Sequence, residues 1–433
     1  DDSARAPVDV VVVLDVSASM ARKKLALCKK TLELLLRELR PKDRFGLVTF
    51  SDEAKIEIPA RKLNDANKQA ALRTIMSIKS RRGTNLSGGI GMGAKEMHAI
   101  EEPNSVRSIF ILTDGHVNKG IRDHEGVVEL TKGCIGTNAD DDTVAPMTVH
   151  TFGYGTRHDE NLLRDVSQAT SGGTYYFVES DSDVSSAFGD ALGGVLSVVA
   201  QNVVLSISAP PEAKLIMVHH ENKTKKEDSS YVVKLGDLYA EERRDVIFEV
   251  TLRSDENISE EVQGIPHANA TLSYLDTVEG KLVDEDTVTA NIARPDNTTI
   301  SAPNPSVAVQ WLRTCATYGM EEADQLSQRG DLKTARAKIT LLLQKLRRES
   351  AEAGVGSETL IIQLIADLNE VYSGLGNKKA YAIYGCKMTK SKCQTHKYQR
   401  CAESNSVASN SYRNSRKVAV CKRMKIDSGN SLP

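Results

Sequence analysis

Val8-Asp9-Val10-Val11-Val12-Val13-Leu14-Asp15-Val16-Ser17-Ala18-Ser19-Met20 is the stretch that decides the fold. Its first half is an almost unbroken β-branched run, the pattern of a strand buried on both faces in a parallel sheet. It ends in Asp-x-Ser-x-Ser, and helical spacing follows from Lys23. Loops at the carboxyl ends of central parallel strands are where doubly wound folds bind ligands. This loop offers one carboxylate and two hydroxyls, hard oxygen donors that suit Mg²⁺.

Two further segments extend the pattern. Gly83-Thr84-Asn85 precedes the helical stretch Leu86–Met97, and Ile109-Phe110-Ile111-Leu112-Thr113-Asp114-Gly115 is an apolar strand ending in Asp. Together these residues resemble the metal-ion-dependent adhesion site of a von Willebrand factor A domain, over about Ala6–Ala200. The resemblance implies that Asp15, Ser17, Ser19, Thr84 and Asp114 hold Mg²⁺, with Mn²⁺ or Ca²⁺ as alternatives. Ser17 and Ser19 would bind directly, Asp15 and Asp114 directly or through waters, and Thr84 would add an oxygen. The open coordination position would take an Asp or Glu carboxylate of a protein partner. Asn85, Gly115, Tyr154 and His158 are the expected rim of that partner site.

The expected fold class is α/β. Strands at Val8–Leu14, Arg44–Phe50, Ala54–Ile58, Val106–Leu112, Met147–Phe152 and Thr174–Val178 alternate with helices, which gives an open, mostly parallel sheet within 7–200. Gly88, Gly89, Gly91 and Gly93 make a poor helix by propensity and point to close helix–sheet packing. Asn138–Asp142 reads as a polar loop, and Asp159 as a helix cap. The closing helix is expected over Asp181–Ala200.

Composition changes near Gln201. Short β-rich runs over 201–300 predict an antiparallel β-sandwich. The segment Gly236–Arg244 resembles the β-domain of plant-type A-domain proteins, some of which carry a RING ubiquitin-ligase module; inter-alpha-inhibitor heavy chains share the arrangement. After Ala302-Pro303-Asn304-Pro305, residues 303–385 read as helices with short connections. Residues 386–433 read as a basic, flexible tail, Ser/Asn-rich over Glu403–Arg416. From Ser373 onward there are 13 Lys/Arg against two Asp/Glu in a chain of net charge −2. Such a tail suits an acidic partner, but its sparse aromatics argue against specific nucleic-acid readout.

The seven cysteines are odd in number and lack any C-x₂-C pair. Their dilution favours a reducing compartment, with cytoplasm ahead of the extracellular space. Cys386, Cys393 and Cys401, with His396 and Cys421, lack the signature of structural zinc and read as a packed face or as incidental thiols. The sequons at Asn85, Asn222, Asn257, Asn269 and Asn297 decide little; a glycan on Asn85 would crowd the metal loop. Arg329-Gly330-Asp331 reads as a helix end followed by a cap rather than an adhesive tripeptide. His219 and His220 alternate on a strand and cannot share one ion. No apolar run reaches the ~20 residues of a membrane span. A chain opening on Asp1 reads as a processed product or a fragment.

No nucleotide-binding glycine loop or catalytic arrangement is present, so the leading expectation is a non-enzymatic, Mg²⁺-dependent protein-binding module. The alternatives are a substrate-recruiting part of a ubiquitin-ligase system and a structural subunit of a larger assembly.

Overall fold

The structure, a computed structural model, describes residues 5–115, 117–135, 147–170, 172–178, 181–211, 213–227, 229–252, 265–292, 303–400 and 412–429. The chain forms two compact units. The first comprises residues 1–199, 239–242 and 379–433; the second comprises 200–238 and 243–378. The expected loop Asn138–Asp142, the sequons at Asn257 and Asn297, and Cys401 lie outside the described residues.

The first unit is built on a six-stranded sheet ordered β3-β2-β1-β4-β5-β6. Its strands are β1 (Val8–Asp15), β2 (Arg44–Phe50), β3 (Ala54–Lys62), β4 (Val106–Thr113), β5 (Met147–Tyr154) and β6 (Thr174–Val178). All neighbours are parallel except the β2–β3 edge pair. β1 lies at the centre, with Val13 opposite both Val48 and Ile111. Because side chains alternate along a strand, its valines feed two cores. Val10, Val12 and Leu14 pack with α1 (Lys23–Glu38), α2 (Asp65–Ser77) and α6 (Asp181–Val195), while Val11 and Val13 pack with α3 (Leu86–His98), α4 (His124–Ile135) and α5 (Glu160–Gln168). The α3 glycines do allow close approach: a Cβ on Gly93 would stand 2.5 Å from Val13, and one on Gly89 would stand 2.7 Å from Phe50.

The closing helix ends at Val195, and β7 (Val198–Ser208) starts within the span expected to be helical. The second unit holds a sheet in the order β13-β12-β7-β10-β9, with β14 also on β12, and a separate β8–β11 pair. The strands are β8 (Ala213–His219), β9 (Lys223–Glu227), β10 (Ser230–Tyr239), β11 (Ile247–Leu252), β12 (Ile265–Asp276), β13 (Lys281–Asp284) and β14 (Val288–Ile292). Ile207, Leu215, Val218 and Val233 form the buried core of these strands. β9 is Lys-Thr-Lys-Lys-Glu, without an apolar residue, and exists as the hairpin partner of β10. Periodicity could not reveal it.

Helices α7 (Pro305–Gln328), α8 (Leu332–Glu352) and α9 (Thr359–Gly374) pack on one another. Asn304 caps the first, with Pro305 at the opening turn. Arg329 closes α7, Gly330 turns at φ +86°, and Asp331 accepts from Thr334 N–H at 3.1 Å, so the tripeptide is a hairpin joint. His219 is held by Glu249 at 2.6 Å and Tyr318 at 3.1 Å.

The described residues beyond Gly374 depart from a flexible tail, while 401–411, most of the Ser/Asn-rich stretch, lie outside the described residues. α10 (Lys378–Ala380) runs through a π-helical turn, Tyr381–Gly385, into α11 (Cys386–Tyr398), and α12 (Ser415–Gly429) follows. α11 and the described part of α12 are largely buried in the first unit. α12 lies along α6, where Gly189 and Gly193 clear the way: Cβ atoms there would meet Cys421 Cα at 3.0 Å and Lys417 Cα at 2.7 Å. Several of the basic charges meet acids of their own unit. Lys387 pairs with Glu160 at 2.7 Å, Arg400 with Glu242 at 3.0 Å, Lys417 with Asp190 at 3.0 Å and Arg423 with Glu38 at 2.6 Å. Net charge alone marked this segment as a solvated tail. The overlooked signal was the set of small and apolar residues that α12 and α6 present to each other.

Candidate metal centre

β1 delivers Asp15 to the carboxyl edge of the sheet, fully buried. Its Oδ1 accepts from Ser17 N–H at 2.7 Å, and its Oδ2 accepts from the Thr113 hydroxyl at 2.6 Å. These bonds tie the ends of β1 and β4 together. A single 3₁₀ turn over Ala18–Met20 then lifts Ser19 to the surface above buried Ser17. The two hydroxyls are 3.0 Å apart, and Ser19 Oγ donates to Asp114 Oδ1 at 2.7 Å. The other Asp114 oxygen is taken by the ammonium of Lys24, from the first turn of α1.

The loop before α3 joins from the other side. Arg81 N–H donates to Val16 carbonyl at 2.6 Å, and Asp52 N–H to Arg82 carbonyl at 2.9 Å. Thr84 N–H donates to Asn118 Oδ1 at 2.9 Å, while Asn118 N–H returns a bond to Thr84 carbonyl at 3.1 Å. A Cβ built on Gly115 would lie 3.5 Å from Ser19 Oγ and 3.7 Å from Thr84 Oγ1. The hydroxyls of Ser19 and Thr84 therefore face one point beside Asp114.

Burial raises the Asp15 carboxyl above its ordinary range. The neighbouring Asp114 charge adds to that, against the Thr113 and Ser17 hydrogen bonds. Two buried carboxylates this close call for a positive charge. Lys24 supplies one on Asp114. A divalent ion suits the remaining donors, which are hydroxyl and carboxylate oxygens. Among the described residues, no three His, Cys, Asp or Glu side chains gather where a metal could sit, so any metal reading rests on the hydroxyls.

The expected rim divides. Gly115 is half-buried beside Ser19 and Thr84. Asn85 is half-buried as the cap of α3, accepting from Gly88 N–H at 2.9 Å. Tyr154 and His158 are not surface residues: they are 3 % and 1 % exposed. Strict alternation along β5 turns Tyr154 inward, into the core that holds Cys28, whose thiol burial pushes up to about 12. His158 Nε2 is 2.7 Å from the Tyr175 hydroxyl, and burial, helped by the Lys387 charge, drives its pKa down to about 3. Lys24, Thr113 and Asn118 escaped the sequence reading. A lysine in the first turn of a helix, opposite to the usual charge preference there, was the one available signal.

A family model of the von Willebrand factor type A domain matches residues 9–190. The chain contains a von Willebrand factor type A domain. Among relatives of this A-domain chain is E3 ubiquitin-protein ligase WAV3 of Arabidopsis thaliana, 29% identical over 260 residues, covering 59% of this chain and 32% of that protein. E3 ubiquitin-protein ligase WAVH1 of the same plant is 23% identical over 395 residues, 85% of this chain and 49% of the relative. Human inter-alpha-trypsin inhibitor heavy chain H1 is 26% identical over 233 residues, 52% of this chain and 24% of the relative. The chain thus spans from about a quarter to a half of the length of these relatives. The solved von Willebrand factor type A protein of Catenulispora acidiphila aligns with a TM-score of 0.62 at 17% identity, over 85% of this chain and 83% of that one. That likeness bears on fold alone. Among the described residues, no helix is long and apolar enough to cross a membrane.

Proposed function

We propose that the A domain holds one divalent cation, Mg²⁺ first, between Asp15, Ser17, Ser19, Thr84 and Asp114, and uses it to capture an Asp or Glu side chain of a protein partner. The observation that carries the reading is the bonded run Ser17–Ser19–Asp114, with the Thr84 hydroxyl facing the same point. Three loops, distant in sequence, bring hard oxygen donors together and hold them by backbone bonds. Two carboxylates leave a doubly charged ion nearly neutralised and still able to attract an external acid. Thr113 orients Asp15, Asn118 orients the Thr84 loop, and Lys24 pairs with Asp114 from the first turn of α1.

Affinity capture tests this, run with Mg²⁺, with EDTA, and with Asp15→Ala. Capture should fall in the last two. Partners retained under both would refute metal-dependent capture. A second reading, recruitment of substrates within a ubiquitin-ligase system, is favoured by the two plant relatives named as E3 ligases. Ubiquitin conjugates on captured partners, lost with Asp15→Ala, would support it.

A further inference from the structure

The rim of this site has a charge of its own. We infer that the rim selects a partner segment rich in carboxylates, not a lone acid; the inference rests on the metal reading above. Arg22 follows β1, Arg82 lies in the loop before α3, Lys119 and Arg122 follow β4, and Arg157 follows β5. All are exposed. Backbone bonds anchor these loops around the centre: Arg82 carbonyl to Asp52 N–H, and Lys119 N–H to Thr84 carbonyl. A Cβ on Gly155, two residues before Arg157, would stand 4.0 Å from Lys24 Nζ, which itself pairs with Asp114.

Among the described residues, Arg22, Arg82, Arg122 and Arg157 have no carboxylate partner. Lys119 reaches Asp52 only at 3.8 Å. The acids beside these loops are Asp52 and Glu53, both exposed, with Asp123, which accepts from Gly126 N–H at 2.7 Å, and Asp159, which caps α5. The body of the chain before Ser373 is acidic in balance, so this cationic rim is a local departure from the surface around it. Unpaired guanidinium groups on separate loops suit several carboxylates spread along an extended peptide, each able to make a forked bond. The metal would take one acid, and the arginines its neighbours. Each exposed pair contributes little alone, so discrimination comes from their number and fades with salt.

The test uses two fluorescent peptides on the full chain in Mg²⁺, one with a single Glu among Gly and Ser, one with the same Glu flanked by further Glu. The flanked peptide should bind on the order of tenfold tighter at low salt. The gap should close in high salt and in Arg82→Glu/Arg157→Glu, while the single-Glu peptide still binds in a metal-dependent way. Equal affinities in Mg²⁺ would overturn the rim inference and leave the metal reading standing. Binding of both peptides unaffected by EDTA and by Asp114→Ala would overturn the metal reading itself. Displacement of the flanked peptide by single-stranded RNA at lower concentration than by free Glu-rich peptide would overturn the choice of partner.

Discussion

Asp15 sits in the interior with its charge disfavoured by burial and by Asp114. With a folded-state pKa above the unfolded one, the metal-free domain binds more protons than the unfolded chain in the window above 3.8. Stability from this group is therefore greatest at acid pH and declines as pH rises through the folded pKa. A divalent ion reverses that penalty. Thermal unfolding should show Mg²⁺ raising the midpoint at neutral pH, with the rise shrinking on acidification into the carboxylate range. Asp15→Asn should raise the midpoint of the metal-free protein and abolish the Mg²⁺ response. Arg22 presents a second residue-scale case. It precedes α1 at φ 65° and ψ −117°, a conformation suited to glycine. Arg22→Gly should stabilise the domain by about 1–2 kcal/mol, measured by urea unfolding, with the helix content unchanged.

At the scale of elements, β1 and α3 are matched surfaces. Gly93 brings the helix so near the sheet that Gly93→Ala would press on Val13. The substitution raises intrinsic helix propensity by about 1 kcal/mol, yet overpacking should outweigh that gain and give a net loss of up to about 2 kcal/mol, read as a lower denaturant midpoint. The same contrast explains what could be read from residues alone. Valines in an unbroken row, glycines in a helix and an Asp at two strand ends announce a parallel sheet and its ligand edge, because burial on both faces leaves little choice of residue. Polar β9 gives no such sign, since pairing with β10 alone sustains it. Tyr154 and His158 are buried instead of on the rim for a related reason. Position in a loop-adjacent stretch says nothing of which way a side chain turns, and both turn into aromatic packing near Tyr175, Tyr176 or Cys28. Asp15, Ser17, Ser19, Thr84 and Asp114, by contrast, are proposed as ligands from the family resemblance of their three segments, since Asp-x-Ser-x-Ser by itself is an ordinary loop sequence.

Across the whole molecule, the first unit is assembled from three separated pieces of chain. Buried ion pairs fasten the last piece, and removing one partner of such a pair is costly because the other charge stays behind. Asp190 accepts from Tyr176 at 3.1 Å as well as pairing with Lys417. Asp190→Ala should destabilise the first unit by about 3–5 kcal/mol, seen as earlier loss of tertiary signal in urea. Glu160 behaves differently with pH. Burial pushes its carboxyl up, but hydrogen bonds from Cys386 and Lys387 outweigh that and hold it at about 2. Its contribution is present above the unfolded value near 4.5 and disappears as pH falls through about 2. Protection of the α11 amides, corrected for intrinsic exchange, should therefore fall in strong acid, while Glu160→Gln should already show the lower protection at neutral pH and lack that acid step.

Arg423 meets Glu38 across 385 positions of chain. During synthesis at about 5–20 residues per second, the early sheet therefore leaves the ribosome with the flank of α6 bare, and stays so while the entire second unit is being made. Nascent chains halted near residue 375 should recruit chaperones that those carried past residue 424 release.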